Sequence, residues 1–185
     1  MNKMLKLVFY IATAFNLVNT QASGCTTTGK VVTVSGFVMD NLCIDRGTLL
    51  DNPSVTTLLN PEMHSIHCLV DVKSCVDSEY TLLAPPNATS KLYSVKYQLG
   101  KSGTTAALKQ AQSARLKGAV KGYSANVTGI DDGTMELKCV VFNDNIKVDG
   151  KDMVVTESKT NTASALHSNS VYQIVMILLV GVFIV

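Results

Sequence analysis

The chain carries an apolar segment at each end, and these two segments determine which residues are available to form a folded domain. Residues 1–22 combine a basic start, a short apolar run and small residues at their end, an order that is typical of a secretory signal peptide. We therefore predict a signal segment over 1–22, with cleavage after Ala22. The sequence Ala22-Ser23-Gly24-Cys25 is also similar to a bacterial lipoprotein cleavage box, which leaves a second interpretation open.

The C-terminal segment, residues 171–185, is mainly apolar and short. Its 15 residues would extend roughly 22 Å as a helix, against a bilayer hydrocarbon core of roughly 30 Å. Residues 157–170 form a small, polar linker before it, and this order is typical of a glycosylphosphatidylinositol (GPI) signal. Asn161 is the predicted attachment residue and Ser164 the alternative. A short transmembrane anchor is the other interpretation, and both predict display on the extracellular face of the plasma membrane.

Between the two ends lies one predicted extracellular domain, residues 23–156, which has a size typical of a single domain. Lys3 and Lys6 belong to the signal segment, so 14 Lys and Arg residues face 14 Asp and Glu residues in the rest of the chain. Because the domain is neutral and lacks Trp, its sequence shows no basic patch of the kind that binds nucleic acid. The predicted partners are the membrane, through the lipid anchor, and an extracellular protein or small ligand.

Five cysteines follow the signal segment, and a secreted domain generally pairs its cysteines in disulfides. Five is an odd number, so at most two bridges form within the chain. We predict a Cys25–Cys139 bridge between the first segment and the last long strand, and a second bridge among three further cysteines. These three are Cys43, Cys68 and Cys75.

Two sequence triplets match the N-glycosylation acceptor pattern. They begin at Asn87 and Asn126. The terminal segments predict passage through the secretory pathway independently of these triplets. We therefore predict that both asparagines carry glycans.

The order of periodic segments predicts a mainly β domain with two helices, built as a small, disulfide-stapled OB-like Greek-key barrel. A β-sandwich is the alternative. Gly36 is expected to form a bulge in the first strand, and Asp40 to serve as a turn residue after it. Strands are predicted at 30–39, 80–84, 91–99, 119–130 and 135–143, with a weak strand in 146–156, and helices at 61–73 and 104–117.

Residues 36–43 have the pattern Gly-x-Val-x-Asp-x-x-Cys, which is followed by His64, Cys68 and Cys75. In these features the chain resembles an uncharacterised family of small secreted or periplasmic OB-like β-barrel domains, over roughly residues 31–141. The resemblance implies the barrel fold and a His/Cys cluster, and it implies no reaction.

The only histidines of the predicted domain, residues 23–156, are His64 and His67, which lie close to Cys68 in the sequence. On a helix these three residues would share one face at positions i, i+3 and i+4. Two imidazoles and a thiolate form a donor set for Zn²⁺ or Cu⁺, which Met63 or Cys43 would complete. In the alternative interpretation, Cys68 forms a disulfide and the histidines are surface or packing residues.

The chain contains none of the common catalytic motifs, such as Gly-x-Ser-x-Gly, His-Glu-x-x-His or Cys-x-x-Cys. We therefore predict a non-enzymatic, GPI-anchored cell-surface glycoprotein without catalytic residues or a required cofactor, which binds a partner or a small ligand. The alternative is an extracellular Cu- or Zn-binding domain that uses His64, His67 and Cys68.

Overall fold

The computed structural model describes residues 25–155, which cover nearly all of the predicted extracellular domain. The signal segment, the linker with Asn161 and Ser164, and the apolar tail lie outside the described residues. Within 25–155, no helix combines the length and the apolar character needed to cross a bilayer.

The described part of the chain is mainly β, as predicted, and its six strands form one antiparallel sheet. The sheet order is β3-β2-β1-β4-β5-β6. The strands are β1 (Lys30–Asp40), β2 (Tyr80–Ala84), β3 (Ser94–Gln98), β4 (Tyr123–Asp131), β5 (Lys138–Val148) and β6 (Lys151–Val154). The helices are α1 (Asn41–Arg46), α2 (Ile66–Val70), α3 (Lys73–Asp77) and α4 (Gly100–Leu116), with a 3-10 turn over Pro61–Met63.

The sheet is not closed into a barrel. The end of β3 reaches the segment before β5, where Gln98 N donates to Met135 O (2.8 Å) and Leu137 N donates to Gln98 O (2.9 Å). This contact is a single parallel bridge between Gln98 and Glu136 rather than a ladder. The described strands also belong to one sheet, whereas a β-sandwich requires two.

Gly36 does not form the expected bulge. The pairing register of β1 runs without a shift through Gly36, which lies opposite Ala125 of β4. A Cβ at this position would lie 2.6 Å from Leu83 O and 2.7 Å from Leu82 Cγ on β2. The glycine therefore permits close approach of two strands, which is the second common reason for a glycine within a strand.

The single helix predicted over 61–73 is wrong, because the structure divides this region into the 3-10 turn, α2 and the start of α3. His64 has extended backbone (φ −63°, ψ 138°) and ends the 3-10 turn. Ser65 is also extended and caps α2. The predicted helical spacing therefore does not apply to His64. The short helix α1 was missed, since its six residues contain no full amphipathic repeat.

The main core lies between the sheet and α4, and two buried tyrosines connect its parts. Tyr123 donates from its hydroxyl to Ala107 O in α4 (2.7 Å), and the Tyr80 hydroxyl donates to Leu69 O in α2. A smaller buried cluster lies beside the far end of β1 and contains Phe37, Met39, Cys43, Leu49 and Leu83. The helices α1 to α3 are thus held against the sheet next to the end of β1.

Cys25 and Cys139 form a disulfide, as predicted. Their Cα atoms are 5.7 Å apart and they are separated by 114 positions in the sequence. The bridge ties the segment before β1 to β5, so it closes a loop around almost the whole described domain.

Candidate metal centre

The other three cysteines are free and buried, and each is the third residue of a short helix. Cys43 holds this position in α1, Cys68 in α2 and Cys75 in α3. The three helices are short and packed close together. Their third residues therefore bring the three sulfur atoms close to one another. The second bridge predicted among these cysteines is not formed in the structure.

Side-chain caps set the direction of the first two helices. Asp40 Oδ1 accepts from Cys43 N (2.8 Å), and Ser65 Oγ accepts from Cys68 N (3.2 Å). Both are N-cap hydrogen bonds to the third residue of a helix, which is where a short polar side chain reaches a free N–H group. Asp40 was expected to be a turn residue; its side chain does bond the neighbouring backbone, but as the N-cap of a helix. Asp-x-x-Cys and Ser-x-x-Cys are the sequence forms of this geometry.

Main-chain bonds on both sides hold His64 in place. His64 N donates to Pro61 O (3.0 Å), while its carbonyl accepts from Gly122 N (2.8 Å). One residue past Ser65, Ile66 N donates to Val120 O (3.0 Å). This short pairing with the segment before β4 directs the imidazole towards α1.

The donor atoms converge closely. Cys43 Sγ lies 3.7 Å from His64 Nε2, and Cys68 Sγ lies 3.3 Å from Cys75 Sγ. Cys43, His64 and Cys68 have donor atoms within 4.8 Å of one another, and so do Asp40, Cys43 and Cys75. The three sulfur atoms are therefore mutually within 4.8 Å, with Cys43 shared by both groups.

All five of these residues are fully buried. Asp40 Oδ2 is 2.9 Å from His64 Nε2, yet it has no hydrogen-bond partner within the described part of the chain. The contact from Nε2 that meets hydrogen-bond geometry is the one to Cys43 Sγ. The His64 ring lies beside this carboxylate, but Oδ2 accepts no well-aligned hydrogen bond and is therefore open to a further partner.

The close contacts shift the pKa values of the cluster. Cys68, helped by His64, lowers the pKa of Cys43 to about 6 against the effect of burial. Burial alone would lower the pKa of His64, but Asp40 and Cys43 raise it to about 9. The contact with Cys43 raises the pKa of Cys68, and burial raises that of Cys75 to about 12. Without a metal, Cys43 is therefore the thiolate of the cluster at neutral pH.

The pKa of Asp40 results from two opposing effects. Burial alone would raise it, but the His64 ring and the N–H group of Cys43 hold it below its usual range. The charged form of the Asp40 carboxyl is therefore favoured although the group is buried.

This arrangement differs from a catalytic Cys-His-Asp triad. In such a triad one imidazole nitrogen faces the nucleophile and the other faces the acid. Here both Cys43 Sγ and Asp40 Oδ2 lie next to Nε2, while the buried Nδ1 has no partner in the described residues. A sulfur and a carboxylate oxygen that both lie beside Nε2 are better placed to bind a shared cation than to transfer a proton along a chain of groups.

The structure separates the predicted metal ligands. His64 and Cys68 lie in the cluster, whereas the exposed His67 directs Nδ1 to Asp71 Oδ2 (2.8 Å). Met63 is 42% exposed, and its sulfur lies near Lys121 Nζ (4.0 Å).

Of the two residues proposed to complete the set, the structure thus brings in Cys43. Sequence reasoning did not include Cys75 or Asp40 among the metal ligands. The Asp-x-x-Cys spacing was the signal for Asp40, whereas Val72, three positions before Cys75, makes no side-chain cap, so this spacing does not point to Cys75.

The two predicted glycosylation residues are both exposed. Asn87 lies in the loop after β2, where its Oδ1 accepts from Thr89 N (2.9 Å). Asn126 lies within β4, on the side of the strand that faces solvent.

Comparison of the chain with models of known protein families, with curated proteins and with solved structures found no significant match.

Proposed function

We propose that this domain binds one Zn²⁺ or Cu⁺ ion through Cys43, His64, Cys68 and Cys75, and that the ion stabilises the fold. The observation that carries the proposal is the convergence of three free, buried sulfur atoms and one imidazole nitrogen. Three Cys and one His form a common donor set of structural zinc sites, and soft thiolates also suit Cu⁺.

Burial favours a structural role over a catalytic one. Structural metal sites have a closed set of protein ligands, whereas catalytic sites keep a position open for water or substrate. All four proposed ligands have no exposed surface. The ion would join α1, α2 and α3, which are too short to be stable as isolated helices.

The two histidines provide a matched pair of variants for the test. We expect His64→Ala to abolish stoichiometric binding of Zn²⁺, because it removes a buried ligand. We expect His67→Ala to leave binding unchanged, because His67 is exposed and contacts Asp71. Both results are checked by measuring the metal content of the purified full-length chain with elemental mass spectrometry. Loss of metal in both variants, or in neither, would contradict the proposed ligand set.

The alternative to metal binding by Cys68 and Cys75 is a disulfide between them, since their sulfur atoms are 3.3 Å apart. Intact mass under native conditions, with and without reductant, distinguishes the two states. The metal proposal predicts one ion per chain and a single disulfide, Cys25–Cys139. A mass that shows two disulfides and no metal would rule the proposal out and support the second predicted bridge.

We also propose that the fold belongs to the OB-like barrel class. The support is the strand order, with α4 between β3 and β4, and the parallel contact between Gln98 and Glu136. In a closed barrel of this class a strand pair forms where this bridge lies. An experimental structure with a continuous β3–β5 ladder would establish the class.

A second proposal concerns the cellular setting: a GPI-anchored cell-surface glycoprotein that binds an extracellular partner or small ligand. It rests on the terminal segments and on the exposure of Asn87 and Asn126. In a eukaryotic host, we expect phosphatidylinositol-specific phospholipase to release the protein from cells. We also expect glycosidase treatment to reduce its mass by two N-glycans. A protein without glycan that stays in the cytosol would contradict this proposal.

A further inference from the structure

Asp40 brings a carboxylate to the cluster, and one of its oxygens lies within 4.8 Å of the sulfur atoms of Cys43 and Cys75. Its two oxygens have different surroundings. Oδ1 accepts from Cys43 N, whereas Oδ2 lies 2.9 Å from His64 Nε2 without a hydrogen bond. Capping α1 requires only Oδ1, so it does not explain why a fully charged, fully buried side chain stands here.

The charge balance of the site changes when an ion binds. His64 Nε2 lies 2.9 Å from Asp40 Oδ2. Coordination through Nε2 uses the lone pair of that nitrogen, so an imidazole that holds an ion is neutral and gives Asp40 no positive charge. Compensation for the buried carboxylate must then come from the ion itself.

We propose that Asp40 sets the charge preference of this centre and favours a divalent ion, Zn²⁺, over Cu⁺. The inference rests on the proposed metal function. The carboxylate is a harder donor than sulfur and suits Zn²⁺, for which it is an established ligand, better than the soft Cu⁺ ion. The three proposed thiolates and Asp40 together carry more negative charge than either ion neutralises, and Zn²⁺ leaves one unit less of it uncompensated than Cu⁺ does.

The test compares Zn²⁺ and Cu⁺ affinities of the full-length chain by competition with chromophoric chelators. Asp40→Asn is the main variant, since Asn retains a capping oxygen but removes the charge. We expect Zn²⁺ affinity to fall by about 10- to 100-fold, the typical cost of losing a supporting group at a metal site. We expect Cu⁺ affinity to change by less than about threefold, so the ratio shifts by at least about threefold.

Two further variants separate charge from structure. Asp45→Asn removes the same charge from an exposed position of α1, and we expect it to leave both affinities unchanged. Asp40→Ser retains a capping oxygen without the charge and is used if Asp40→Asn does not fold; we expect the same shift in ratio. Circular dichroism establishes that each variant is folded.

The outcomes distinguish this inference from the function on which it rests. A wild-type chain that binds neither ion overturns both. A wild-type chain that binds Zn²⁺, with Asp40 variants that weaken both ions equally or neither ion, overturns only the role of Asp40. An equal loss in variants that keep the capping oxygen would show that the carboxylate supports the site without discriminating between the two ions.

Discussion

Replacing Cys43 with serine is expected to abolish metal binding and to lower the free energy of unfolding by about 4 kcal/mol, the stabilisation that a ligand supplies at about 1,000 times its Kd. Cys43 has the largest effect because its sulfur belongs to both groups of converging donors and contacts His64 Nε2 at 3.7 Å. The corresponding fall in Tm is about 15 °C for a domain of this size. Calorimetric unfolding with and without saturating Zn²⁺ measures it.

The control for this prediction is wild-type protein stripped of metal by a chelator. If the loss comes from the ion, Cys43→Ser and stripped wild-type protein unfold at similar temperatures, and added Zn²⁺ rescues only the wild type. If Cys43→Ser is much less stable than stripped protein, the thiol acts mainly through core packing. Retention of one tightly bound ion by Cys43→Ser would refute the proposed centre.

Removing the disulfide is expected to have the second largest effect. The double variant Cys25→Ala/Cys139→Ala should lose about 3 kcal/mol of unfolding free energy, within the range of about 2–5 kcal/mol for native disulfides of small secreted domains. The 114-position separation places the bridge among those that close long loops, for which the loss of chain entropy in the unfolded state is large. Urea unfolding at equilibrium measures the change.

The metal content of the double variant is the internal control. Cys25 and Cys139 form their own bridge and belong to neither donor group. We therefore expect the variant to bind one ion per chain, as the wild type does. A loss of stability below about 1 kcal/mol would mean that the unfolded chain is already compact enough for the bridge to matter little.

Several parts of the fold were predictable because they depend on local pattern. The pattern of residues 80–84 predicts a strand, and the structure has a strand with the same bounds. A short segment of apolar, β-favouring residues can pack on both faces of a sheet. Gly100 and Thr104 show the limit of that approach. The sequence predicted a helix that begins at Thr104, but α4 begins at Gly100, and Thr104 Oγ1 accepts from Tyr80 N (2.9 Å).

The sequence by itself determined the mainly β class and pointed to His64 and Cys68 as candidate ligands. Five cysteines allow several pairings, and the structure selects Cys25–Cys139. Only the tertiary structure decided which donors meet. A helical repeat grouped His64 with His67, but an extended Ser65 breaks that helix and turns the two rings apart. Cys43 joins His64 from 21 positions away, because α1 and the 3-10 turn pack together at the end of β1. Such contacts follow from packing between distant segments, which no local periodicity records.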